Sequence, residues 1–296
     1  MNTLLWLMRR ETWEHRALYV APLITLLIVL IGIGSDVTQI PLGMRALSEH
    51  APGKEGTVLG ALHLIVAVPF ILVMTIVAAF YCLDALYGER RDRSVLFWKS
   101  LPVSDLQTVL SKVGVVVLVV PLITLVAAVA AQFAMLTVAS VALMAAGENG
   151  SFVWTATPIL SSTGLLIYAL VVQSLWYLPL YAWILLASAW APRAATLWAV
   201  LPPLGVVLIE QTVFHTTYFA EWLHHRLVGL FPLAFRIGEN QVGIVVNDDS
   251  VNVPDRLGDL IDPTAVLMSS GLWVGLVVAA VLLAAAVWAR RYRDPY

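Results

Sequence analysis

The side chains best placed to do chemistry in this chain form a charged strip, RRDRSVLFWKSLPVSD, over residues 90–105. The runs on either side, residues 58–83 and 113–146, contain no Asp, Glu, Lys or Arg. Runs of that length and apolarity are typical of membrane-spanning helices. A strip held between two such runs lies at a membrane surface. Its mixture of charged and apolar side chains favours docking onto a water-soluble partner.

Few polar side chains interrupt the apolar runs, and each of them has two interpretations. Gln132 and Gln173 could line a pathway through the membrane or could hydrogen-bond to neighbouring helices. Glu210 and Gln211 follow a proline-containing run, where they could form an outer gate or simply end a helix. All four are therefore possible pathway or gate residues.

No residue pattern of a catalytic centre is recognisable, so no catalytic residue is assigned. The spans hold no paired carboxylates, no metal-binding helix motif and no Ser/His/Asp set. His224 and His225 are adjacent, and neighbours on a helix point ~100° apart, so they would not chelate one metal easily. Gly53-Lys54 precedes Glu55 and lacks the upstream glycine of a phosphate-binding loop. We expect neither a metal nor a nucleotide on this chain.

The composition places most of the chain in lipid. Its 296 residues are 60% hydrophobic and 12% charged, which is about half the charged share of a soluble domain. Backbone groups in lipid must be satisfied internally, so the apolar runs are helices. We predict an all-α membrane protein, a single domain over residues 1–296. Its six spans are 17–34, 58–83, 109–140, 165–190, 194–213 and 271–289. Pro202-Pro203 should break or kink the fifth, and Glu210 should close it early.

The placement of Lys and Arg predicts the orientation. With the N-terminus in the cytoplasm, 12 of the 17 Lys and Arg residues fall in inner segments and 5 in outer ones. This bias follows the positive-inside rule and puts both termini in the cytoplasm. The strip then lies in an inner segment, 84–108. The outer segments 35–56 and 239–263 are predicted loops, and the outer segment 147–162 is polar and short. Within the large outer segment 214–270, residues 215–238 are rich in aromatics and Leu, which predicts short membrane-dipping helices.

The first 16 residues mix apolar and charged side chains, which favours a helix lying along the cytoplasmic interface. An ordinary N-terminal anchor is the alternative. In either case membrane lipid is a partner of this segment. The residues that indicate an interfacial helix are Trp6, Arg9, Arg10, Glu11 and Trp13.

The strip resembles the permease subunits of type-2 ATP-binding-cassette (ABC) exporters. In that family an acidic and basic stretch follows the second span, a Leu-Pro-Val-Ser-like turn comes next, and a lysine opens the third span. Ser94 departs from the family, many members of which carry glycine there. The order of spans and segments is similar to the family over the whole chain, whereas the motif itself is confined to residues 89–112. The matching residues are Glu89, Arg90, Arg91, Asp92 and Arg93, then Leu101, Pro102, Val103 and Ser104, then Lys112.

The resemblance implies a mechanism. Two permease copies, expected to be a homodimer, would form the pathway in a bacterial-type plasma (inner) membrane. Two separate ABC ATPase subunits would dock beneath them and carry ATP and Mg, so this chain itself would be no enzyme and hold no cofactor. Nucleic acid is not an expected partner. The implied ATPase-coupling residues are Glu89, Arg90, Arg91, Asp92, Arg93, Lys99, Leu101, Pro102, Val103, Ser104 and Asp105.

Two other classes of function stay open. A stand-alone integral membrane enzyme or assembly factor needs converging catalytic groups within the spans. An ion-coupled carrier needs charged residues near the midplane and inverted repeats. Neither feature is evident in the sequence, and no motif specifies a transported substrate.

Overall fold

The computed structural model of the chain describes residues 3–50, 52–92, 103–234, 245–247, 250–252 and 256–292. Within these ranges six helices are long and apolar enough to cross a membrane, which confirms the prediction of a six-span, helical, multi-pass membrane protein. They are called the first to sixth spans below. In chain order they are Ala17–Ser35, Glu55–Arg91, Asp105–Ala145, Ile159–Trp190, Ala195–Phe214 and Ser270–Tyr292.

Several spans consist of more than one helical element. An N-terminal helix precedes the first span, and short elements occupy the outer segments. The elements up to the third span are α1 (Thr3–Glu14), α2 (Ala17–Ser35), α3 (Ile40–His50), α4 (Glu55–Ile65), α5 (Val68–Ala85), α6 (Tyr87–Arg91), α7 (Asp105–Gly114), a π-helix (Val115–Val119) and α8 (Val120–Ala145).

The second half of the chain adds the remaining three spans and the long segment between the fifth and sixth spans. The described part of that segment holds three short helices, a hairpin and a 3-10 turn. The elements are α9 (Phe152–Ala156), α10 (Ile159–Trp190), α11 (Ala195–Ile209), a π-helix (Glu210–Phe214), α12 (Tyr218–Val228), α13 (Leu230–Ala234), β1 (Val245–Asn247), β2 (Ser250–Asn252), the 3-10 turn Leu257–Leu260, α14 (Pro263–Met268) and α15 (Ser270–Tyr292).

The helices extend further than the apolar runs that predict them. The second span continues to Arg91, beyond the predicted end at 83, and the third begins at Asp105 instead of 109. Hydrophobicity marks only the part of a helix that lies in hydrocarbon, and the polar ends continue into the interface. The fourth span likewise begins at Ile159, and the hydroxyl of Ser162 donates to the Pro158 carbonyl within its first turn.

The segments predicted to be outer contain more secondary structure than expected. Segment 35–56 contains α3, so the prediction of a loop is wrong there, and the short polar segment 147–162 contains α9. In the acidic segment 239–263, β1 and β2 pair antiparallel with Val246 opposite Val251. Within 215–238 the structure has two short helices, α12 and α13.

The fifth span continues as a helix through its two prolines, so of the predicted break or kink the break does not occur. Pro202 and Pro203 lie inside α11, and a π-helix carries the span past Glu210 to Phe214. Pro203 has no N–H to donate to the carbonyl of Ala199, four residues earlier. The indole N–H of Trp183, on the fourth span, donates to that carbonyl at 2.8 Å. The neighbouring helix thus satisfies the group that the proline leaves free, which allows proline within a membrane helix.

The fourth span is the centre of the bundle. It packs most extensively against the sixth span and also contacts the second, third and fifth. The first span packs against the second and third. The fifth span is the most exposed, with 6% of its apolar window buried, against 39% for the fourth. The exposed apolar faces must therefore meet lipid or another subunit.

Candidate functional site

Charged side chains from four parts of the chain meet at one end of the bundle. We call them the charged cluster: Glu11 of α1, Glu89 of α6, Asp105 and Lys112 of α7, and Arg290 of α15. They join the N-terminal helix, the end of the second span, the start of the third and the end of the sixth. The cluster therefore shows that α1 and the last turns of the sixth span lie at the same end of the bundle.

Lys112 is the centre of the cluster. Its ammonium group lies 3.0 Å from Oε2 of Glu11 and 2.9 Å from Oε1 of Glu89, and the side chain is 1% exposed. The hydroxyl of Tyr81, on the second span, donates to the same Glu11 oxygen at 3.0 Å. An ion pair this buried is screened far less by water and salt than a surface pair. Because Lys112 bridges two carboxylates, α1 and the second span are both fixed to the third.

Arg290 closes the other side of the cluster. One terminal nitrogen donates to Oε2 of Glu89, and Nε donates to Oδ1 of Asp105 at 3.0 Å. Asp105 is the first residue of α7, where Ser104 is the N-cap and forms a capping box with Gln107. Ser followed three residues later by Gln is the sequence pattern of a capping box, so the sequence alone predicts a helix start at Ser104 and the structure confirms it. The capping box orients the first turn of α7 and with it the Asp105 carboxylate.

Arg10 lies at the rim of the cluster. Its guanidinium binds Glu14 at 2.7 Å and lies 3.6 Å from Glu11 and 3.8 Å from Glu89. Partial burial alone would lower the pKa of Arg10, but the carboxylates of Glu14, Glu11 and Glu89 raise it overall. Three cations, Arg10, Lys112 and Arg290, thus face the carboxylates of the cluster, and no large excess of charge is buried.

The fourth span joins this end of the bundle through Ser188. The Ser188 hydroxyl accepts hydrogen bonds from the backbone N–H groups of Leu86 (3.1 Å) and Tyr87 (2.8 Å), and it donates to the Leu83 carbonyl. Arg90 donates to the carbonyls of Ser188 (2.7 Å) and Ala191 (2.8 Å), which end the fourth span. The junction of α5 and α6 is therefore fixed to the fourth span.

The coupling residues predicted from the sequence fall into two groups. Glu89, Arg90 and Asp105 point into the bundle and bind other spans, as described above. Arg91 and Asp92 are exposed and pair with each other at 3.0 Å, Ser104 is exposed and Val103 is half-buried. At the two ends of the strip, the described residues that face solvent are therefore Arg91, Asp92 and Ser104. Four further predicted coupling residues lie outside the described residues: Arg93, Lys99, Leu101 and Pro102.

The predicted interfacial helix also divides by face. Glu11 is buried and Arg10 half-buried, and both belong to the charged end of the bundle. Trp6, Arg9 and Trp13 are exposed on the opposite face. The sequence pattern grouped these residues by composition, and only the packing of α1 separates them.

Two of the possible pathway residues connect spans. The amide nitrogen of Gln132 donates to the His63 carbonyl at 2.7 Å, and Gln132 is fully buried between the second and third spans. Gln173 donates to the Thr75 hydroxyl and is half-buried. Gln173 and Thr75 line a cavity of about 20 Å³ between the second, third and fourth spans, enough room for about one water molecule. Gln132 thus packs between spans, whereas Gln173 borders a small cavity whose lining is mostly apolar.

Glu210 acts as a helix cap. Its carboxylate accepts hydrogen bonds from the backbone N–H groups of Phe219 (2.9 Å) and Ala220 (3.2 Å) in the first turn of α12. A carboxylate there stabilises the helix by satisfying free N–H groups and by opposing the helix dipole. Gln211 is exposed. Glu210 therefore fixes α12 to the end of the fifth span.

Sequence reasoning missed the partners that make the cluster. Tyr81, Ser188 and Arg290 come from distant parts of the chain, and nothing in their local spacing links them to the strip. A usable signal was present, however. Lys112 and Arg290 each lie within a turn of an apolar span, where an unpaired charge is costly.

Among the described residues, no group of three or more His, Cys, Asp or Glu side chains is arranged to hold a metal ion. Comparison with models of known protein families, with curated proteins and with solved structures finds no match to this chain. The site therefore has to be interpreted from its own geometry. That geometry is a buried, charge-balanced junction that joins α1, α6, α7 and α15.

Proposed function

We propose that this chain is the membrane-spanning subunit of an ATP-driven ABC exporter. Two copies, as a homodimer, form the translocation pathway, and each is coupled to a separate ATPase subunit. The proposal combines the resemblance of the strip to type-2 ABC permeases with the connections of the charged cluster. ATP and Mg bind on the ATPase in this proposal, and this chain converts nucleotide-driven movement into helix movement.

One observation carries the proposal. Both flanks of the strip end in the charged cluster: Glu89 comes directly before it, and Asp105 is its last residue. Arg290 pairs with both, so the two ends of the strip are held on one cation. A force applied to the strip would therefore reach the second, third and sixth spans together, and α1 through Glu11. Stiff, directional contacts of this kind are required when a partner has to move several helices at once.

The orientation of the spans in the membrane is part of the proposal. An even number of spans puts both termini on one side, which agrees with the meeting of α1 and the sixth span in the cluster. Arg10, Arg90, Lys112 and Arg290 also gather at that end, and the positive-inside rule places such an end in the cytoplasm. We therefore place the strip in the cytoplasm of a bacterial-type plasma membrane, with α12 and α13 dipping into its outer face.

The pathway is proposed to form between the two copies. Thr75 and Gln173 are hydrogen-bonded to each other at a partly open position within the bundle. Polar side chains within a span favour a protein-lined neighbour over hydrocarbon. The surface between the copies is the simplest neighbour that meets this requirement.

A stand-alone membrane enzyme or assembly factor, and an ion-coupled carrier, are the alternatives. Neither would use an ATPase partner, so one experiment separates them from the exporter. The chain is expressed with candidate ABC ATPases, purified through its own tag, and tested for a bound ATPase and for ATP hydrolysis in reconstituted vesicles. Stable co-purification with stimulated hydrolysis supports the exporter. A chain that binds none of them, and that moves cargo or reacts alone, contradicts it.

Two variants separate docking from transmission in this assay. Arg91→Glu reverses an exposed charge within the strip and should abolish co-purification. Arg193→Glu, at an exposed cation in the turn between the fourth and fifth spans, should leave it intact. Glu89→Gln removes a buried charge and should leave co-purification but lose the coupling of hydrolysis to transport. Equal behaviour of Arg91→Glu and Arg193→Glu would remove the strip from the docking role.

A further inference from the structure

The exposed face of α1 carries a cation between two indole rings. The Arg9 guanidinium carbon lies 5.4 Å from the ring centre of Trp6 and 4.7 Å from that of Trp13. Both distances are within the range of a cation–π contact. Residues 6, 9 and 13 are three and four positions apart, which aligns them along one helix face. We call them the Trp-Arg-Trp face.

This face is open, whereas the rest of α1 is held in place. Trp6 is 50% exposed and Trp13 is 65% exposed, while Leu7, Met8 and Glu11 on the opposite face are buried. Among the described residues, Arg9 forms no ion pair, in contrast to Arg10 beside it. A guanidinium stacked on rings keeps its N–H groups free at its edge, where they can bind a planar or tetrahedral anion through two parallel hydrogen bonds.

The position of α1 indicates what covers this face. Its last residue, Glu14, is followed almost directly by the first span at Ala17, so α1 lies where the chain enters the membrane. Other exposed aromatics lie at the same end of the bundle: Trp190 follows Ser188, and Trp288 precedes Arg290. Tryptophans at one level of several spans mark the headgroup region of a bilayer. At that level the available anion is a lipid phosphate.

We propose that the Trp-Arg-Trp face is a binding site for the headgroup of an anionic phospholipid. The phosphate accepts hydrogen bonds from the Arg9 guanidinium, and the indole rings of Trp6 and Trp13 lie against the glycerol and upper acyl region on either side. A bound lipid then holds α1 from outside, while the charged cluster holds it from inside. This proposal needs a membrane but no ATPase partner, so it can be tested, and can fail, independently of the proposed function.

The test is native mass spectrometry of the full-length chain in detergent, titrated separately with phosphatidylglycerol and phosphatidylcholine. The wild type should bind the first phosphatidylglycerol more tightly than the first phosphatidylcholine. Arg9→Gln should weaken that first step about fivefold, as expected for one basic residue at an anionic headgroup, and should leave phosphatidylcholine unchanged. Trp6→Leu with Trp13→Leu should weaken both lipids, because the rings contact parts that the two lipids share.

Arg193→Gln is the matched control, since it also removes one exposed cation at an inner span end but none flanked by two rings. It should change the first phosphatidylglycerol step less than twofold. An equal loss in Arg9→Gln and Arg193→Gln would overturn the site in favour of general charge attraction. Equal binding of both lipids by the wild type would also overturn it. If Arg9→Gln lost ATPase co-purification and kept its lipid binding, the face would be a protein contact instead.

Discussion

Replacing Lys112 by methionine tests whether the charged cluster is a single unit. Methionine keeps the length and apolar stem of lysine but removes the cation that lies 3.0 Å from Glu11 and 2.9 Å from Glu89. Both carboxylates stay buried with one partner fewer. Removing one member of a buried ion pair typically costs about 3–5 kcal/mol, because the remaining charge is left desolvated. The apparent melting temperature should therefore fall by on the order of 5–15 °C.

The assay is thermal unfolding of the detergent-purified chain, followed by size-exclusion chromatography of the heated samples. Arg45→Gln is the control, since it breaks the exposed pair between Arg45 and Glu148, and surface pairs contribute only ~0–1 kcal/mol. The double variant Glu11→Gln with Lys112→Met should recover part of the loss, because one buried charge is removed together with its partner. If Lys112→Met melted within about 2 °C of wild type, or if Glu11→Gln added to the loss, the cluster would not be a single unit.

Three further substitutions test the contacts around the cluster and at the opposite end of the bundle. Ser188→Ala removes the acceptor of two backbone N–H groups and should lower the free energy of unfolding by about 1–3 kcal/mol. Ser174→Ala is the control and should have little effect, because the Ser174 hydroxyl donates to the Leu170 carbonyl of its own helix. Glu210→Ala removes the cap of α12 and should cost ~1 kcal/mol, with faster hydrogen exchange confined to α12. Arg226→Leu removes the buried guanidinium that donates to the Gly271 carbonyl at 2.6 Å, and it should loosen α12 from the sixth span and speed proteolysis of the outer segment.

The spans are predictable because hydrophobicity is a sum over many residues. A run such as residues 17–34 crosses a bilayer whatever its neighbours are, so the six spans follow from length and composition. The helix start at Ser104 follows for a different reason. The capping box with Gln107 is a local hydrogen-bond pattern that depends on two residues three positions apart. Both kinds of signal are contained within one short segment of chain.

The charged cluster could not be derived in the same way, because its partners are distant in sequence. Glu89 and Arg290 are 201 positions apart, and Lys112 and Glu11 are 101 apart. Composition assigned Glu89 and Asp105 to an exposed strip, since charged residues are usually solvated. The helical continuity of the fifth span could not be predicted for a related reason. Its prolines signal a break, and the Trp183 indole that satisfies the free Ala199 carbonyl lies on another helix.

A buried ionic cluster is not required for stability alone, because a well-packed apolar core of the same volume is often as stable. An ionic cluster differs from an apolar core because its contacts depend on the relative position of the two partners. Apolar contacts tolerate sliding, because neighbouring arrangements bury similar areas, whereas the Lys112 contacts at 2.9–3.0 Å lose their partners when a helix shifts by one residue. The four helical elements joined in this way are therefore held in one mutual register. In the proposed exporter, a fixed register would let a force on the strip move these elements together, which an apolar contact that can slide would not do.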